Sequence, residues 1–333
     1  MATIREIAEK VGVSVGTASF VLNGKADDMR ISKKTQTRVL EAAKELGYQP
    51  SLSARKLRVK GKEVPVIAIL WTLDARTSLI SRFLQGIQSK STYQEGQFEL
   101  LIQPYENGKL RELHALKTGL RFNGAIIANA SDEDMHYLEQ ANLNLPIVVY
   151  QRHSKNYATV LVDSEKTGRD VAKKFIQNGH KQVSIVIPEV SSEAVALRIK
   201  GFLEECRVYQ IEVDELYGDF SEAGGYAVTK QLLMVSPLPS AIFFLSDYMA
   251  IGALSALHEA NVKVPKDIQL IGHDNMIATQ FTIPTLSTVN LPVEEMAEAS
   301  VNLLLKILRN AADPHEQLKF SSYILERESS SFE

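Results

Sequence analysis

From Val64 onward the chain alternates short, predominantly apolar runs with amphipathic stretches of about 10–15 residues at helical period. The runs cover residues 66–70, 98–102, 125–128, 147–150, 160–162, 183–187, 241–245 and 268–271. A strand that is apolar at every position is buried on both faces, and helices between such strands supply the cover. The pattern therefore predicts parallel sheets with helices on either side. Eight such units exceed one open sheet of ordinary size, roughly four to six strands. The expected core is α/β, built of two doubly wound parallel-sheet subdomains. Ligands of such sheets sit outside the carboxyl ends of the strands, so two facing sheets place a ligand in the cleft between them.

A length of 333 residues agrees with more than one core. Hydrophobic residues make up 45% and charged residues 23%, which excludes a mainly disordered, collagen-like or coiled-coil chain. No apolar run approaches the roughly 18–20 residues that span a bilayer. The opening MATIREIAEK spreads charge where a signal peptide needs an apolar stretch. Cys206 is the single cysteine, so no internal disulfide can form. A cytoplasmic protein without membrane contact is expected.

Charge is divided unevenly. Residues 1–62 hold 13 Lys+Arg against 6 Asp+Glu, whereas the remainder holds 24 against 34. A basic head on an acidic body points to a polyanion partner for the head alone. Its local pattern agrees. Ile4, Ile7, Ala8 and Val11 fall at helical spacing behind Thr3, a candidate N-cap. Gly12 suits a tight turn, and Ser14 can cap a second helix at about 15–22 with Ala18, Val21 and Leu22 inward. Ser32 opens a third, with Val39, Ala42, Ala43 and Leu46 on one face. Helix, glycine turn, helix is the helix-turn-helix pattern. Its second helix would enter the major groove with Val15, Gly16 and Thr17 leading. A three-helix protein-binding module has the same periodicity. After Pro50 comes a short basic segment with Leu57 near its end, and a basic helix carrying an apolar wedge suits minor-groove insertion.

The residues Thr3-Ile4-Arg5-Glu6-Ile7-Ala8, Gly12-Val13-Ser14, Thr17, Ser19, Val21-Leu22-Asn23, Leu46-Gly47-Tyr48-Gln49-Pro50, Ala54 and Leu57 resemble the N-terminus of LacI/GalR-family transcriptional regulators. The resemblance implies a small all-α head at 1–49 and a hinge helix and linker at 50–62. It implies DNA contacts from Thr3, Ser14, Val15, Gly16, Thr17, Phe20, Asn23, Tyr48, Ser53, Ala54 and Leu57. Three features depart from the family pattern. Phe20 stands where an arginine is usual, Gln36 replaces a common arginine, and the connection through 26–30 is about three residues long in excess.

The body resembles the effector-binding core of the same family, which is periplasmic-binding-protein-like. Asp163 with Gly168, Gly179-His180, Arg198 with Gly201-Phe202, Ser246-Asp247, Gly272, Asp274, Pro284 and Thr288 carry the match. This implies an effector-binding and dimerisation core at 63–333. Subdomain 1 would take about 63–162 and 290–318, and subdomain 2 about 163–289 and 319–330, with a crossing near Asn290. Effector contacts are implied for Thr72, Asp74, Gln151, Arg198, Phe220, Ser246 and Asp274. Arg198 would grip ligand oxygens, Asp274 accept from hydroxyls and Phe220 stack. Asp163 and Arg152 could instead pair across the hinge. His273, beside Asp274, is as well placed for a structural role as for the cleft.

No phosphate-loop, dinucleotide, zinc-protease or nucleophile-elbow motif occurs. The histidines lack metal-ligand spacing, so no metal, no cofactor and no catalytic residue are expected. The reading is a repressor, not an enzyme. Its partners would be double-stranded operator DNA, a small effector of sugar or sugar-phosphate type, and a second copy in a homodimer with a contact strip at 81–87. The alternative is a cytoplasmic sugar-binding protein or sugar-processing enzyme with an unrelated N-terminal module.

Overall fold

The computed structural model describes residues 3–22, 26, 29–46, 58–59, 62–73, 79–88, 98–118, 121–141, 143, 145–190 and 192–331. Three helices form the head: α1 (Ile4–Val11), α2 (Val15–Leu22) and α3 (Lys33–Glu45). Thr3 and Glu6 make a capping box. The Glu6 N–H donates to Thr3 Oγ1 at 3.3 Å, and the Thr3 N–H donates to the Glu6 carboxylate at 2.7 Å. Gly12 has φ 72°, the left-handed value that ends α1 and turns the chain. Ser14 then caps α2, accepting from the Thr17 N–H at 3.0 Å, and Ser32 caps α3 through Thr35 at 3.2 Å. Ala8, Ala18, Ala42 and Ala43 are buried with Ile7, Val11, Val21 and Val39. Small residues at these crossings let three short helices pack closely. Arg38 on α3 donates to the Val11 carbonyl at 2.7 Å, satisfying the C-terminus of α1.

Between head and core, β1 (Arg58–Val59) and β2 (Lys62–Glu63) pair antiparallel, where the sequence reading expected the end of a hinge helix, a linker and the start of the core, and no strand pair. The first subdomain then follows: β3 (Val66–Thr72), α4 (Ile80–Ile87), β4 (Glu99–Tyr105), α5 (His114–Thr118), β5 (Gly124–Ala128), α6 (Asp132–Gln140), β6 (Ile147–Tyr150) and β7 (Ala158–Val162). The second holds α7 (Ser164–Gln177), β8 (Gln182–Pro188), α8 (Glu193–Val208), β9 (Glu212–Gly218), α9 (Glu222–Leu232), β10 (Ala241–Phe244), α10 (Asp247–Glu259), β11 (Gln269–His273) and β12 (Ser287–Asn290). The chain returns to the first through α11 (Val293–Leu308) and β13 (Gln317–Phe320). It ends on the second with β14 (Tyr323–Leu325).

The first sheet has the order β13-β7-β6-β5-β3-β4 and is parallel throughout. The second has the order β14-β12-β11-β10-β8-β9, parallel except for β14. Ile67, Ile69 and Trp71 of β3 face one core, and Val66, Ala68 and Leu70 face another. The period of two thus fills both sides of one strand. The three passages between subdomains fall at Asp163, at Leu291-Pro292 and at Ser321-Ser322. The strand carrying the last return reaches Phe320.

A DNA-reading head and an interdomain cleft

At the front of α2, Ser14, Val15 and Gly16 are exposed, with Val15 at 49%, while Thr17 and Phe20 are half-buried. A Cβ on Gly16 would meet only Ser14 Oγ, at 3.7 Å, so packing within the head does not require glycine there. The missing side chain leaves the helix front open to close approach. The Thr3 hydroxyl is engaged in its cap. Gln36, where the family commonly has arginine, donates its amide to the Ile31 carbonyl at 2.9 Å. Asn23, Tyr48, Ser53, Ala54 and Leu57 lie outside the described residues, as does Asp74.

Between the two sheets lies a cleft of about 710 Å³, open mouth included. Of the effector residues expected from sequence, Gln151, Arg198, Phe220 and Asp274 line it. Thr72 and Ser246 do not. Thr72 is wholly buried at the end of β3. Ser246 is wholly buried too, and its hydroxyl caps α10 by accepting from the Tyr248 N–H at 3.2 Å. The short polar residue at that strand end serves the helix instead of the cavity. Asp163 and Arg152 do not pair. Asp163 caps α7 and binds Lys319 at 2.7 Å. Arg152 pairs with Asp132 and stands 4.0 Å from Glu193.

Sequence reasoning missed Trp71, Asn129, Tyr150 and Arg152. A signal for the rim existed. Asn129, Gln151 and Asp274 each follow a strand directly, with φ 59°, 63° and 107°. Left-handed backbone is uncommon away from glycine, and asparagine and aspartate tolerate it best. A polar residue of that kind directly after an apolar run marks a strand end that turns sharply into the cleft.

The electrostatics are unbalanced. Arg198 is 4% exposed and has no hydrogen-bond partner among the described residues, its Nε being fully enclosed. Burial pulls its pKa down to about 10, against the opposing field of Asp274. His273 has its Nδ1 2.8 Å from Asp274 Oδ1, so Nδ1–H donates to the carboxylate. Burial, then the positive Arg198, holds the imidazole pKa below its ordinary value, so Nε2 is an acceptor. That Nε2, Asn129 Nδ2, the Tyr150 hydroxyl and Arg152 Nε and Nη1 are all buried without a hydrogen-bond partner. Buried polar atoms in native proteins are mostly satisfied, and these five unmet atoms, with Arg198 Nε, belong to residues that line one cavity. Trp71 and Tyr150, with ring centroids 6.4 Å apart, and Phe220 add aromatic surface. The arrangement can hold a small polar molecule that offers acceptors to the arginines and donors to His273 and Asp274.

A helix-turn-helix head joined to a two-lobed cleft defines a ligand-responsive DNA-binding regulator. The model for bacterial regulatory proteins of the lacI family matches residues 3–51, and that for the periplasmic binding protein-like domain matches 172–330. The HTH-type transcriptional repressor PurR of Histophilus somni (strain 2336) is 29% identical over 337 residues, 99% of each chain. A LacI family transcription regulator from Clostridium acetobutylicum superposes with TM-score 0.76 at 31% identity, covering 79% of this chain and 99% of that one. The complex of the transcriptional regulator CelR with cellobiose superposes with TM-score 0.72 at 23% identity, covering 99% of this chain and 100% of that one, and shares the fold. The chain belongs to the LacI family and is a DNA-binding transcriptional repressor with an effector-binding domain. Its head is therefore not an unrelated module. Among the described residues no helix is long and apolar enough to cross a membrane.

Proposed function

We propose that this repressor acts as a homodimer on a pseudo-palindromic operator and that a small polar effector of sugar or sugar-phosphate type, seated in the cleft, sets its operator affinity. The observation that carries the reading is the convergence of Gln151, Arg198, Phe220 and Asp274 on one cavity where Asn129 Nδ2, the Tyr150 hydroxyl, Arg152 Nε and Nη1, Arg198 Nε and His273 Nε2 lack partners. Aromatic faces beside paired donors and acceptors suit a polyhydroxylated ring. One recognition helix reads only a few base pairs, so twofold pairing of heads is needed for an operator of useful length. DNA contacts fall to the exposed front of α2 and to Leu57 as the minor-groove wedge. A ligand changes operator affinity only by binding two arrangements of the subdomains unequally.

Trp71, the only tryptophan, lines the cleft and reports its occupancy. Titrating the full chain with glucose, glucose 6-phosphate, cellobiose and hypoxanthine should change Trp71 emission for a sugar or sugar phosphate. The same compound should shift the gel-shift affinity for a duplex selected from a random pool. Arg198→Ala should abolish both responses and leave ligand-free duplex binding at the parental level. A response to hypoxanthine alone rejects the sugar class, and a responsive Arg198→Ala rejects the site.

A further inference from the structure

Arg82 on α4 reaches from the first subdomain to the second. Its Nε and Nη2 donate to the two carboxylate oxygens of Glu294 on α11, at 2.7 and 2.6 Å. Nη2 also donates to the Leu291 carbonyl, in the crossing segment, at 3.1 Å. Nη1 donates to the carbonyl of Asp274, the cleft residue that ends β11. A guanidinium presents its donors in a fixed fork. Once Glu294 holds two of them, Nη1 has little freedom except to point at Asp274.

The acceptor is equally fixed. Asp274 and Asn275 form a turn with φ 107° and 52°, and the second subdomain clamps it from below. The Asn275 N–H donates to Thr288 Oγ1 at 3.2 Å, and the Met276 N–H donates to the Asp247 carboxylate at 2.7 Å. Arg327 donates to Asn275 Oδ1 at 2.9 Å. Around this bond the two subdomains do not pack tightly. A cavity of about 1000 Å³, solvent mouth included, is lined by Leu79 and Gln85 beside Arg82 and by Asn275, Met276, Ile277, Ala278 and Gln280 of the second subdomain. The Arg82 guanidinium thus bridges the two walls beside open space.

We propose that Arg82 is a positioning residue that latches α4 to the backbone of Asp274, so that α4 and a ligand on the Asp274 carboxylate act on the same rigid turn. Resting on the cleft reading above, this gives a route from occupancy to the first subdomain, which bears the heads. Separating the walls breaks the Nη1 bond and strips a rigid carbonyl of its donor. A ligand that holds Asp274 in place keeps the latch formed, and one that pulls it away releases α4. A latch that biases how the subdomains are arranged acts whether or not a ligand is bound, so breaking it should alter operator affinity without any ligand.

The test compares parent, Arg82→Met, Arg82→Lys and Glu294→Gln as full chains without ligand. Hydrogen exchange over residues 274–280 should quicken at least threefold in Arg82→Met. The affinity for the selected duplex should change at least threefold in either direction. Arg82→Lys should behave like Arg82→Met, because an ammonium cannot grip Glu294 through two donors and still reach Asp274. Glu294→Gln, which keeps Arg82 but loosens its aim, should fall between. Parental exchange and parental duplex affinity in Arg82→Met overturn the proposal. So does a lowered melting temperature with unchanged duplex affinity, which would leave Arg82 as a brace only. If Arg82→Met does not fold, the exchange and affinity of Glu294→Gln decide by the same criteria. These readouts need no effector, so they fail or succeed independently of the ligand titration.

Discussion

A guanidinium that is 4% exposed, with no hydrogen-bond partner among the described residues, costs stability to fold. Arg198 is therefore better explained by what enters the cleft than by what surrounds it. Its depressed pKa, about 10, has the same origin, since burial penalises the charged form more than Asp274 supports it. Replacing it by methionine, of similar length and without charge, should raise the ligand-free stability by on the order of 1–3 kcal/mol. The cleft response should vanish in the same protein. Thermal melting of both proteins in the absence of ligand is the measurement, and a lower melting temperature for Arg198→Met contradicts the argument. Cys206 behaves in the opposite way. It is 1% exposed, and burial pushes its thiol up to about 12, so it is a packed side chain without reactive character.

Elements position these residues through close backbone contact. A Cβ on Gly168 of α7 would lie 2.0 Å from the Arg198 carbonyl, and one on Gly201 of α8 would lie 1.9 Å from the Glu165 carbonyl. The two helices thus meet backbone to backbone at the turn of α8 that carries Arg198. Gly201→Ala should force them apart, costing about 1–3 kcal/mol and moving the guanidinium relative to Asp274. Denaturant unfolding together with a Trp71 ligand titration checks both effects, and parental values in both refute the claim. These glycines were legible in sequence only as points of family likeness. Their reason, a helix on the far side of a loop, was not. The helices of the head were legible, because caps and turns act over three or four residues: Thr3, Gly12, Ser14 and Ser32 each do locally what their types suggest. Family likeness placed Ser246 among the effector residues, whereas its hydroxyl caps the helix that starts beside it.

For the whole molecule, the open question is how two heads are held in register. Helix α4 presents Ser81 and Gln85 to solvent, with Arg82 and Leu84 half-buried, while Phe83, Gly86 and Ile87 are buried against the first subdomain. Part of the 81–87 strip is therefore committed to the subdomain's own core, and only its outer face is free to meet a second copy. Sedimentation equilibrium at micromolar concentration should give twice the 37.0 kDa chain mass. A monomer or a tetramer would contradict this assembly.

Alternating apolar runs determined the two covered parallel sheets, because burial on both faces leaves a central strand few polar positions, Ser184 and Gln269 being buried exceptions. The charge division and the local caps likewise marked the head. What only the tertiary structure decided is which polar residues share one cavity. Arg198 on α8 and Asp274 and His273 at the end of β11 belong to one subdomain, Asn129, Trp71 and Arg152 to strand ends of the other, and only the packing of two sheets across a hinge brings the groups together. The bond from Arg82 to Asp274 spans 192 residues of chain. No period or cap encodes such a distance, since it follows from the passage of the chain through both subdomains and back.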